Sequence, residues 1–147
     1  MKPIRAASFL LLTFLVPGLV SAQQVEITGV QPHVRSSPAY AELLLRTTEV
    51  KAELESLIAD YTETSPRILD LRIEIDELSK ATQRLSTVRA SESGKLTHAL
   101  GKLLVRKASL ETDLARLLRS YKAEHPEVRR AAKKVEIFEA ALKELLS

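Results

Sequence analysis

A stripe of apolar residues at every third or fourth position, restarted again and again at a proline, constrains this chain more than any other feature. From Ser37 it runs through Tyr40, Leu43, Thr47, Val50, Leu54, Leu57 and Tyr61. It resumes after Ser65-Pro66 with Ile68, Leu71, Ile75, Leu78, Thr82 and Leu85. Leu96, Leu100, Leu103, Lys107, Leu110, Leu114, Leu117 and Tyr121 carry the third stripe. His125-Pro126 opens the fourth, with Val128, Ala131, Val135, Phe138, Leu142 and Leu145. Spacings of three and four place such residues on one face of an α-helix. Ser37 is suited to cap the first helix, and proline sits well in a first turn, where its missing N–H costs nothing.

The four stripes are two copies of one unit. A shift of 60 residues lays Tyr61-x-x-x-x-Pro66 on Tyr121-x-x-x-x-Pro126, and Arg46 on Arg106. It also superposes Thr47 and Lys107, the one polar residue in each first stripe. The residue before a proline is pushed out of the α region, so Tyr-x-x-x-x-Pro marks a reversal between antiparallel helices. The expectation is an all-α fold of two tandem antiparallel helical hairpins, four amphipathic helices in all. Tyr61, Pro66, Tyr121, His125 and Pro126 are its turn residues. The tyrosine rings would close the ends of the seams with their hydroxyls in water. Leu44, Ile58, Leu104 and Leu118 widen the apolar face beyond a single seam, as a globular bundle requires. Leu69 and Ile73 form a small apolar strip whose counterparts are Arg129 and Lys133, which makes them a candidate partner surface. Two architectures fit: a bundle, or a rod of roughly 80 Å in which the second and third helices run on through Arg89, Glu92 and Gly94.

The N-terminus reads as an address. Lys2 and Arg5 precede an apolar stretch from Ala6 to Val16, a Pro17-Gly18 break and the small residues of Val20-Ser21-Ala22. This is the pattern of a secretory signal peptide, residues 1–22, cleaved after Ala22. It implies a periplasmic protein. The net charge of +3 owes two of its cations to that segment, so the remainder is nearly neutral and asks for no acidic partner. Residues 23–36 read as an extended leader, 37–90 as the first hairpin, 91–94 as a linker and 95–147 as the second hairpin. The chain has no cysteine, which excludes disulfides and thiolate metal sites.

Little in the sequence suggests chemistry. His33, His98 and His125 form no metal-ligand spacing, so no metal, cofactor or catalytic residue is expected. His125 is suited to a helix cap. Asp70, Glu74 and their neighbours read as a solvated helix face, as do Arg129, Arg130, Lys133 and Lys134. With aromatic residues at 4%, there is no base-stacking surface and nucleic acid is not an expected partner. Membrane contact is at most peripheral.

Tyr121-Lys-Ala-Glu-His125-Pro126-Glu-Val128, followed by a heptad helix, resembles the periplasmic coiled-coil segment of exopolysaccharide chain-length determinant and export proteins. Tyr61-Thr-Glu-Thr-Ser65-Pro66-Arg-Ile68 looks like a second copy, with Ser65 in the histidine place. The flanking membrane helices, the α/β membrane-proximal domain and the kinase domain of that family have no counterpart here, so the resemblance implies a helical hairpin working in the periplasm. The expected role is a non-catalytic interaction or structural protein of the cell envelope, accessory to exopolysaccharide or envelope assembly. It would act through a protein partner or by self-association of helix faces. A periplasmic holdase chaperone or stress sensor is the alternative.

Overall fold

Three of the four long helices begin at a residue whose side chain caps the first turn. The computed structural model describes residues 29–147. A short helix, α1 (Pro32–Arg35), precedes α2 (Pro38–Ile58), α3 (Pro66–Ser86), a 3₁₀ turn (Ala90–Lys95), α4 (His98–Ser120) and α5 (Pro126–Leu146). The Ser37 hydroxyl accepts the Tyr40 N–H at 3.2 Å, and the Thr97 hydroxyl accepts that of Leu100 at 3.2 Å. These caps lie 60 residues apart, and the starts of α3 and α5 are separated by the same interval. The expected address at residues 1–22 and the Val25–Thr28 part of the leader lie outside the described residues. The rest of the leader is not extended: α1 forms there and buries Val34.

Ion pairs fix the directions. Arg46 reaches Glu74 at 2.7 Å, and Arg67 pairs with Glu53, so α2 and α3 are antiparallel. Arg119, at the end of α4, pairs with Asp70 at the start of α3. Lys107 of α4 lies 3.7 Å from Glu139 of α5, and these two helices are also antiparallel. His98 meets Glu42 at 3.1 Å, which sets α4 parallel to α2. The four long helices thus alternate up and down. The long rod does not form: α3 ends at Ser86, and the 3₁₀ turn brings α4 back along both members of the first pair. Glu92 in this turn accepts from Arg89 and Lys95, and these hydrogen bonds hold its carboxyl down at about 2.

The core runs between the pairs. Leu43, Leu71, Leu78, Leu85, Leu100 and Leu142 are almost wholly buried, along with Val34, Val50 and Leu96. Truncating one such leucine to alanine costs about 2–5 kcal/mol, because both transfer energy and packing are lost. Helix α4 lies at the centre, against α2, α3 and α5 alike. A Cβ on Gly101 would fall 2.8 Å from the Glu42 Cβ and 2.9 Å from the Ala39 Cα, so only glycine permits this approach of α4 to α2. This is how helix-pair repeats stack, each pair laid on the face of the one before.

Candidate interaction surface

The two turns share one hydrogen-bond pattern. Tyr61 and Tyr121 donate their N–H groups to Leu57 and Leu117, at 3.0 and 2.8 Å. Ser65 donates to Thr62 and His125 to Lys122, at 2.9 and 3.0 Å. Leu69 and Arg129 then donate to Ser65 and His125, both at 3.0 Å. Pro66 and Pro126 each occupy a first helical turn, and neither needs a donor there. The turns differ in their caps. His125 Nδ1 accepts the Glu127 N–H at 3.3 Å, and its ring stacks on Tyr121 with centroids 4.1 Å apart. Ser65 makes no side-chain cap.

Because α2 and α4 are parallel, both turns lie at the same end of the bundle. Large apolar side chains stay exposed there in matched pairs: Ile58 with Leu118 and Tyr61 with Tyr121, each 42–57% exposed. The tyrosines do finish their seams, but they leave much of each ring in water. Leu69 and Ile73 are half-buried on α3.

Asp70 and Glu74 differ from expectation. Both are buried, and each meets arginine from a neighbouring helix. Asp70 faces Arg119, with Arg116 at 3.8 Å, and Glu74 is held by Arg46. Single-helix periodicity gave one apolar stripe to α3, yet α3 packs on two neighbours and so buries a second face. The clue lay in the repeat: the counterparts of Asp70 and Glu74 are Arg130 and Lys134, so the two faces meet different surroundings. Among the described residues every buried side-chain polar atom has a partner.

The basic stretch on α5 is a solvated face. Arg129, Arg130, Lys133 and Lys134 are exposed, with Arg130 on Glu127 and Lys133 on Glu136, both at 2.8 Å. His98 is exposed beside Glu42, while His33 bonds the Val88 carbonyl oxygen at 2.9 Å. Among the described residues no group of three or more His, Cys, Asp or Glu is placed to hold a metal ion. Nor is any described helix long and apolar enough to cross a membrane. Compared with protein-family models, curated proteins and solved structures, the chain matches none.

Proposed function

We propose that this is an exported, non-catalytic interaction protein of the cell envelope, accessory to the assembly or export of an envelope polymer such as an exopolysaccharide. The observation that carries the binding role is the matched exposure at one end: Ile58 and Tyr61 in one copy, Leu118 and Tyr121 in the other. Keeping such side chains in water forgoes stability, which is ordinary for a surface that meets a partner. Tyrosine suits that use, with a broad apolar ring and a hydroxyl that tolerates water. The N-terminal Lys2–Ala22 pattern supports export. The Tyr-x-x-x-His-Pro turn supports the link to polysaccharide assembly by resemblance.

A photo-crosslinking residue placed at Tyr61 or Tyr121 in the producing cell tests the role. The expected result is a discrete adduct with an envelope protein, weakened by Ile58→Lys or Leu118→Lys in the same chain. Absence of any adduct at both positions counts against it. A broad smear of unfolded clients favours the holdase alternative. Mass spectrometry of the exported chain should find Gln23 as its first residue, and retention of residues 1–22 counts against cleavage.

A further inference from the structure

Among the described residues four other large apolar side chains are exposed: Leu44 and Leu45 on α2, and Ile137 and Leu145 on α5. The 60-residue shift explains three of them, while Ile137 corresponds to Glu77. Leu44 and Leu45 correspond to Leu104 and Val105, which α4 turns toward the first pair. Leu104 is 2% exposed and lines a crevice with Ala81 and Arg84 of α3. Val105 lines a cleft with Glu42 and Arg46 of α2. Ala41 and Thr48 flank the two leucines and correspond to Gly101 and Ala108, which are buried. Thus α2 shows to solvent the face by which α4 packs. On α5, Ala141 and Leu145 correspond to Ala81 and Leu85, which are buried in α3. The stack of helix pairs is open at both ends, and its open faces are of complementary kinds.

We propose that a second copy of this chain closes the gap: α2 of one protomer lies on α4 and α5 of the next, as α4 lies on α2 and α3 within a chain. The occupant follows from continuity with the interface already formed inside the molecule. Charge supports it. Inside the chain, Arg116 and Arg119 of the incoming helix meet Asp70. On α5 the receiving position equivalent to Asp70 is Arg130, and α2 carries Glu55 next to Ser56, the counterpart of Arg116. The signs are exchanged and the match is kept. Among the described residues Glu55 has no ion-pair partner, and Arg130 pairs with Glu127 of its own helix at the surface. Two different faces meet, so the contact is heterologous and extends head to tail instead of closing as a two-fold dimer. This inference deepens the binding reading and rests on it, with the chain as one of its own partners.

The absence of cysteine makes a direct test possible. Thr48→Cys and Ala141→Cys, counterparts of the crevice-lining Ala108 and Ala81, are made in separate chains, purified in their exported form, and treated with a short bismaleimide. A covalent dimer is expected in the mixture and not with either variant alone. Adding Leu44→Lys and Leu45→Lys to the Thr48→Cys chain should abolish it with helicity unchanged. By sedimentation, the average mass of the exported parent chain should rise with concentration beyond twice that of one chain. No adduct in the mixture, an adduct with Thr48→Cys alone, or a mass fixed at one or two chains overturns the proposal. If that happens while Tyr61 or Tyr121 still cross-links an envelope protein, only the self-stacking fails.

Discussion

Gly101 is the residue whose replacement tests the fold most sharply. Alanine should favour an isolated α4 by about 1 kcal/mol. Here its methyl would press on the Ala39 backbone, with the Cα and the carbonyl oxygen each 2.9 Å away. Overpacking of this kind costs about 1–3 kcal/mol, so Gly101→Ala is expected to lower the thermal midpoint by roughly 3–6 °C. A rise on melting would show that α2 and α4 are not in close contact. Asp70→Asn removes the charge that Arg116 and Arg119 share. Both arginines are partly exposed and can turn to water, so the loss should be about 1–2 kcal/mol, below that of a fully buried pair. In a double-mutant cycle with Arg119→Gln, additive losses would mean that the pair is not coupled. Asp70 also marks where single-residue reading ended. Its charge suggested a wet face, and the opposite charge at its counterpart Arg130 signalled only that the two positions meet different surroundings.

The helices were largely legible because their boundaries are written in residue types. Pro38, Pro66 and Pro126 each sit in a first turn, and Ser37 and His125 cap as their chemistry suggests. What a stripe cannot encode is the neighbour it faces. Thus Leu44, Ile58 and Leu118 read as a wider core face and are exposed, while their equal Leu104 is buried. Pairing between elements was equally hidden, and α5 illustrates it. Glu139 of α5 takes a hydrogen bond from Arg84 of α3, which holds its carboxyl below the ordinary 4.5, with Lys107 assisting. A carboxyl depressed in the folded state stabilises at pH above its unfolded value and loses that contribution as the pH falls through the folded one. Glu139→Gln is therefore expected to lower the thermal midpoint slightly at pH 6 and to leave it unchanged at the acid end. The gain is under about 1 kcal/mol, since Glu139 is partly exposed. Equal effects at both ends would remove the ionic origin.

At the level of the molecule, the duplication was readable and the stacking was not. Tyr61, Pro66, Tyr121 and Pro126 revealed two units, and both a bundle and a rod satisfied their seams. The choice falls to the segment from Thr87 to Thr97, which turns the chain back and buries Val88 and Leu96. Each pair then depends on the other. Residues 29–90 alone should lose much of their helicity, because Leu78, Ala81 and Leu85 would face water. A cooperative melt from that half would mean that the first pair is self-sufficient. Stacking an even number of helices has a further consequence, for reach. Lys95 bonds the carbonyl oxygens of Leu146 and Ser147, so Ser147 lies at the end opposite the turns. A tether or fusion at Ser147 would hold Tyr61 and Tyr121 at a standoff of about 30 Å, the length of a 21-residue helix. On the proposed reading the molecule would act as a spacer, held at the Ser147 end with Tyr61 and Tyr121 at the other.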